Sequence, residues 1–419
     1  MWPSLFAALA LTAGPAPQQE GARVDRLSFP VVLAAARARN PDLLAYEREV
    51  QAGLERAGAE AAFPDPELGF FVHDLPVPSF SFREDMMTMA GAELRLRLPW
   101  FGKRDLDRRA AETDARAVSA LQDAHALGLT DAVARAYAEL WLARRTRDLV
   151  ALQMDALARL VRTAQRSFAV GEGAHAELLL VEAERSGLAE ILLRLESQEA
   201  GARARLGAAV AAGGPLRGEP EDPELFELPP IGELFDALER HPELVALRHR
   251  KESLLLRARR ARKEKLPDPN VSFSYGVRIS HPDMIGVGVG FPIPLFGAGR
   301  AERLAAAAEA EAQAIERRIA ARRDALAAEI RAAHAAAKAE IERYRLYAEE
   351  ILPRAEQSAR AAAVAFTAGR GSLFSVVERE RDVLARREQM LAARAAAFVS
   401  LVHLLSLAGD ERRLAGGES

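Results

Sequence analysis

The side chains best suited to soft-metal chemistry stand close together: His73, then Met86, Met87 and Met89. Thioether sulfur and imidazole nitrogen are ligands of soft cations. The eight histidines are otherwise scattered and the chain has no cysteine, so this segment reads as loop packing and no metal site is assigned. The lack of cysteine also removes disulfide frameworks, thiolate metal sites, cysteine nucleophiles and an N-terminal lipid carried on cysteine. Gly286-Val287-Gly288-Val289-Gly290 alternates as a strand does, and Gly297-Ala298-Gly299 lacks the third glycine of a dinucleotide fingerprint. Its counterpart Gly102-Lys103-Arg104 makes a turn and no phosphate cradle. No His-Glu-x-x-His and no nucleophile elbow occurs. The chain is therefore expected to hold no catalytic residue and no cofactor.

Charge excludes another class. Lysine and arginine number 57 against 60 acids, so no basic field attracts nucleic acid. The basic stretch from Arg248 to Lys265 reads as a solvated helix face. Residues 1–16 form a short apolar run followed by small and polar residues, as a secretory signal does, although no Lys or Arg precedes the run. Beyond it, no apolar stretch reaches the roughly 18 residues of a spanning helix. The longest late run, Val399 to Ala408, falls short. Any crossing of a membrane is left to strands.

The elements that position these residues are written twice. Asn40-Pro41-Asp42-Leu43 returns as His241-Pro242-Glu243-Leu244, and Pro64-Asp65-Pro66 returns as Pro267-Asp268-Pro269. Pro99-Trp100-Phe101-Gly102 returns as Pro294-Leu295-Phe296-Gly297, and Phe168-Ala169-Val170-Gly171-Glu172-Gly173 as Phe366-Thr367-Ala368-Gly369-Arg370-Gly371. A period of about 200 residues is too long for a solenoid and reads as two halves of one fold. The first repeat is expected over 27–212, a Gly-, Pro- and acid-rich linker over 213–230, the second repeat over 231–410 and a tail over 411–419. Each half runs helix, two strands, very long helix, Gly-x-Gly turn and return helix.

Strands are expected at about 66–75, 89–98, 270–279 and 284–293, where apolar residues alternate with polar ones or glycine. Such lengths suit tilted strands crossing an outer membrane. Four strands cannot close a cylinder, so several copies must share one barrel. The long helices contain almost no breakers: Gly128 between Arg104 and Phe168, and Pro353 between Arg300 and Phe366. Ile315, Leu326 and Ala337 recur every eleven residues, with Ile319, Ile330 and Ile341 alongside, a spacing that packs helices nearly straight.

With these landmarks in duplicate and in order, the chain resembles the TolC family of outer-membrane efflux proteins from about Leu27 to Asp410. The resemblance implies a mainly α fold with membrane β structure: a homotrimer in which long helical hairpins build an α-barrel and four strands per protomer build a shared twelve-stranded β-barrel. It implies outer-membrane lipid around the strands, a tunnel in the periplasm, and two further partners, a periplasmic adaptor and an inner-membrane pump. Asp85-Met86-Met87-Thr88-Met89 and Pro99-Trp100-Phe101-Gly102-Lys103-Arg104 look like the heavy-metal branch, which implies a pump of the resistance-nodulation-division type.

By the same resemblance, Gly171, Gly173, Gly369 and Gly371 mark the tips that an adaptor grips. Glu177 and Glu378 are the matching candidates for an acidic ring at the tunnel's narrow end, where copies of a carboxylate favour cations. Glu93, Arg95, Arg97 and Arg278 are candidates for the wet face of the barrel. The expected function is passive exit of small substrates, metal cations among them. Two rivals stand beside it: polypeptide export in a type I secretion system, and a soluble periplasmic coiled-coil scaffold.

Overall fold

The computed structural model describes residues 26–77, 79–169, 175–214, 216–279, 281–293 and 297–410. The expected signal segment 1–16, the tip glycines Gly171 and Gly173, and the tail 411–419 lie outside them. The first half runs β1 (Arg26–Leu27), α1 (Phe29–Arg39), α2 (Pro41–Ala61), β2 (Glu67–His73), β3 (Met89–Arg97), α3 (Lys103–Ala169) and α4 (His175–Ala209). The second runs β4 (Glu219–Pro220), α5 (Ile231–Leu238), α6 (Pro242–Arg262), β5 (Asn270–Val277), β6 (Met284–Gly290), α7 (Gly297–Leu346), α8 (Leu352–Thr367) and α9 (Leu373–Ala408).

The first duplicated landmark is a helix start. Asn40 Oδ1 accepts the backbone N–H of Asp42 and of Leu43, both at 3.0 Å, and Pro41 opens α2 where no amide is needed. In the second half His241 Nδ1 accepts the Glu243 N–H at 3.3 Å ahead of Pro242. Burial holds the His241 imidazole below its usual pKa, which keeps the ring neutral and able to accept.

The helices form a wall four across at each level. Near the sheet, α2, α3, α6 and α7 lie side by side; farther away, α3 is flanked by α4 and α9, and α9 by α8. Helix α3 runs 67 residues without a break, about 100 Å at 1.5 Å per residue. Its counterpart is interrupted: Tyr347–Ile351 forms a π turn between α7 and α8. Pro353, two residues on, brings no N–H and a ring that crowds the preceding turn, and the wider turn accommodates it. The eleven-residue seam is buried, with Leu326, Ile330 and Ala337 packed against Leu401, Leu404 and Ala408 of α9.

Helix α9 corrects one expectation. By length and composition it could cross a membrane, with a mean hydropathy of 1.8 over its most apolar window, half of which is buried inside the chain. Its apolar character serves packing: Phe398 stacks edge-on to Phe29 with ring centroids 5.1 Å apart, and Leu401, Val402 and Leu405 are fully buried. The inter-repeat linker is held on the same core. Trp141 Nε1 donates to Asp222 at 3.0 Å, Arg145 and Arg394 reach the same carboxylate at 2.6 and 3.1 Å, and Glu219–Pro220 pairs in parallel with Arg26–Leu27.

Candidate functional site

The strands form one antiparallel sheet in the order β2-β3-β5-β6, shorter at their ends than the alternation suggests, at 7 to 9 residues each. Its register sorts the side chains. Leu68, Leu94, Phe273 and Val287 stand in one row across all four strands, and Phe70, Ala92, Tyr275 and Ile285 in the next. On the opposite face the rows are Glu67, Arg95, Ser272 and Gly288, then Gly69, Glu93, Ser274 and Gly286. The apolar face is bare: Phe70 is 82% exposed, Val287 74% and Ile285 66%. A soluble half-buried sheet would cover such rows with a helix or a second sheet. Among the described residues, both outer strands, β2 and β6, leave one ladder of backbone groups unpaired.

Glu93 and Arg95 lie on the polar face and form an ion pair at 3.0 Å. Arg97, at the helix end of that face, stands 3.4 Å from Asp268. Arg278 lies past the end of β5, where its guanidinium donates to the carbonyls of Pro282 at 2.8 Å and Met86 at 3.3 Å. It belongs to the loops at the sheet's far end and not to the row of Glu93 and Arg95.

The joint between sheet and helices went unrecognised in the sequence. Lys103, whose side chain is 2% exposed, places Nζ 2.7 Å from Asp268 Oδ1 and 3.0 Å from the Leu266 carbonyl. The same Asp268 oxygen accepts the Trp100 amide at 2.8 Å. Lys263 donates to the Phe101 carbonyl at 2.9 Å, and the Arg104 guanidinium lies 3.4 Å from the ring centroid of Phe63. Thus the Pro-Asp-Pro of the second repeat is bonded to the Pro-Trp-Phe-Gly-Lys of the first. The signal was present: a lysine directly after the turn in one repeat and an aspartate between two prolines in the other.

At the opposite end of the wall, α8 turns into α9 through a glycine stop. The Arg370 amide donates to the Ala365 carbonyl at 2.9 Å and the Gly369 amide to that of Phe366 at 3.0 Å, with Gly369 at φ 68°. This is the Schellman arrangement, which calls for a residue without Cβ. Ser372 Oγ then caps α9 by accepting the Ser375 amide at 3.3 Å. At Gly371 a Cβ would stand 3.0 Å from the Phe366 nitrogen. Gly369→Ala is expected to cost about 1 kcal/mol from left-handed strain alone. Hydrogen exchange of the tip amides would then quicken by about fivefold while exchange in the α9 core stays unchanged.

Phe366 packs on a small core with Val150, Leu157, Val181, Leu373 and Val377, joining the two hairpins near their tips. Glu378 is half exposed and lies 3.6 Å from Arg381, which also pairs with the largely buried Glu184. Glu177 falls in α4, with its side chain outside the described residues.

A sequence model of the family described as "Outer membrane efflux protein" matches residues 32–212 and 234–410. No curated relative matches the chain. Among solved structures, the outer membrane protein VceC from Vibrio cholerae is similar at 19% identity and TM-score 0.70, over 91% of this chain and 96% of that one. A structure of CusC, whose study concerns folding and transmembrane channel formation, is similar at 17% identity and TM-score 0.73, over 97% and 99%. The open state of the MtrE outer membrane channel of Neisseria gonorrhoeae is similar at 17% identity and TM-score 0.70, over 91% and 88%. At these identities the likeness establishes the fold: long helical hairpins crowned by a sheet, as in channels with an α-barrel and a β-barrel.

Proposed function

The chain belongs to the outer membrane efflux protein family, and on that premise we propose that three copies form the passive exit duct of a tripartite efflux system in the outer membrane, with a periplasmic extension. A periplasmic adaptor holds the hairpin tips, and an inner-membrane pump of the resistance-nodulation-division type supplies the energy. The observation that carries the reading is the sheet: an apolar face with no cover and two open edges. In hydrocarbon an unpaired backbone group costs several kcal/mol, so the edges must close on sister chains.

The internal repeat supplies the register of that closure. Within the chain, β3 and β5 pair with Leu94 opposite Phe273 and Arg95 opposite Ser272. Carrying β3 onto its counterpart β6, and β5 onto its counterpart β2 in the next copy, puts Val289 opposite Phe70 and Gly290 opposite Gly69. Apolar side chains meet apolar ones and the wet face stays continuous. A register one residue off would reverse every side chain. This agreement supports the shared barrel.

In this reading Glu93, Arg95 and Arg97 line the lumen, Arg278 stands at its outer rim, and Gly171, Gly173, Gly369 and Gly371 shape the docking tips. Glu177 and Glu378 ring the narrow end. Purified protein is expected to conduct ions across a planar bilayer. Glu177→Ala with Glu378→Ala should lower its cation preference, because the ring's negative potential is lost. Unaltered selectivity would remove both residues from the constriction, and a protein without conductance would remove the duct. Cargo among metal cations is favoured over polypeptide by the Met86-to-Arg104 segment. A strain lacking the protein should lose metal tolerance, and new sensitivity to dyes with intact metal tolerance would overturn that assignment.

A further inference from the structure

The far end of the sheet's polar face carries a group of soft donors that the duct reading does not use. His73 lies directly opposite Met89, and Gly276 directly opposite Met284. Strand alternation puts His73, Met89 and Met284 on the side of Glu93 and Ser274, away from the apolar rows. All three border one cavity of about 250 Å³, together with Phe71, Glu93 and Ser274.

Gly276 leaves room for Met89 on this face. A Cβ there would come within 2.7 Å of Met89 Sδ, so Met89 reaches over the bare backbone of β5 toward the residue that faces Met284. Any larger residue at Gly276 would push the thioether away. The sequence alone puts Met284 some 200 positions from His73 and hides the grouping; three strand registers in succession are needed to reveal it.

Four of the seven methionines, Met86, Met87, Met89 and Met284, gather at this end. Met86 and Met87 are 64% and 57% exposed and belong to the loop before β3, which makes them a control for thioethers outside the cavity. Among the described residues, no three His, Cys, Asp or Glu side chains assemble as a metal set. The donors here are two thioethers and an imidazole, which prefer copper(I) and silver(I) to zinc(II) or magnesium(II).

We propose that His73, Met89 and Met284 form a weak binding site for a soft monovalent cation, copper(I) or silver(I); its position at the outer mouth of the lumen rests on the duct reading. Such a site holds an ion in passing, since conduction requires that binding be strong enough to enter and weak enough to leave. No electron transfer is involved: the ion binds and departs in the same oxidation state.

The test is calorimetric titration of the purified full-length protein with silver(I) alone, repeated in the presence of zinc(II). Wild type is expected to bind about one silver per chain with no competition from zinc. The variant His73→Gln/Met89→Leu/Met284→Leu should bind about tenfold more weakly or worse, while Met86→Leu/Met87→Leu binds as wild type does. Heat-modifiable electrophoretic mobility reports whether each variant assembles; if the triple variant does not, Met284→Leu on the edge strand is read for the same weakening. Undiminished binding in the cavity variant, loss of binding in the loop variant, or displacement of silver by zinc would overturn the site. Conductance measured on the same samples separates the two readings. A conducting channel that binds no silver loses the site and keeps the duct, whereas silver binding without conductance keeps the donors and loses the mouth.

Discussion

Asp268→Ala is expected to destabilise the assembled protein by about 3 kcal/mol or more, because it strands a buried ammonium. Lys103 has almost no exposure of its own, and its Nζ would keep only the Leu266 carbonyl at 3.0 Å and Glu264 at 3.8 Å. The Trp100 amide loses its acceptor at the same time. The double replacement Lys103→Met/Asp268→Leu should cost less than Asp268→Ala, since it removes both charges and leaves packable volume. Burial opposes ionisation of Asp268, but the hydrogen bonds from Lys103 and the Trp100 amide and the charges of Lys103 and Arg97 outweigh it and hold the carboxyl below the ordinary range. A carboxylate with a depressed folded pKa contributes fully above its unfolded pKa of about 3.9 and loses that contribution as pH falls through the lower folded value. Urea- or heat-driven dissociation followed from neutral pH into acid measures both effects. The Asp268→Ala protein should be weaker at neutral pH and show less further loss on acidification. Equal stability of wild type and Asp268→Ala at neutral pH would show that the joint does not depend on this pair.

A charge placed on either side of the sheet should give opposite outcomes. Val287 stands in the bare apolar row beside Phe273, and Val287→Arg is expected to cost about 2–4 kcal/mol per chain near mid-membrane. The cost repeats in every copy of the assembly. Ser274 faces the other way and lies directly opposite Glu93, so Ser274→Arg gains a cross-strand ion pair in a wet environment. The fraction of heat-modifiable oligomer recovered in outer membranes should collapse for Val287→Arg and hold for Ser274→Arg. Equal recovery of the two would mean that the two faces meet the same surroundings.

These faces were legible in the sequence because strand alternation is a local property: Val271, Phe273 and Tyr275 reveal their side without any knowledge of neighbours. The duplication was equally plain, since Pro-Asp-Pro and Pro-x-Phe-Gly recur in order. What stayed hidden depends on long-range pairing. Lys103 is one of 57 cationic side chains until the fold brings it to Asp268, 165 positions later. Met284 carries no hint of His73. Arg278 alternates as a strand residue does, yet β5 ends at Val277 because the chain must already turn toward β6. Pro353 marks a break in a long helix, but not whether a kink or a π turn answers it. The C-terminal part of helix α9 is apolar, and half of its most apolar window is buried against neighbours, which hydropathy alone does not distinguish from lipid.

The shared barrel itself is open to one direct test, and the absence of native cysteine makes it clean. Leu98 donates its N–H to the Pro269 carbonyl at 2.8 Å, so by alternation Arg95 and Ser272 form a non-hydrogen-bonded pair. Their counterparts across the copies, Gly290 and Gly69, should then lie about 4.5 Å apart at Cα, within disulfide reach. Both positions have room for a side chain, the nearest atom to either new Cβ being the Glu93 carbonyl oxygen at 4.0 Å from that of Gly69. Gly69→Cys/Gly290→Cys protein, oxidised in outer membranes and run on a denaturing gel, is expected to appear as a covalent trimer. Gly290→Cys combined with Glu67→Cys or Phe71→Cys should remain largely monomeric. A doubly substituted protein that stays monomeric, or one that links equally well in the displaced registers, would contradict a barrel closed by sister chains along β6 and β2.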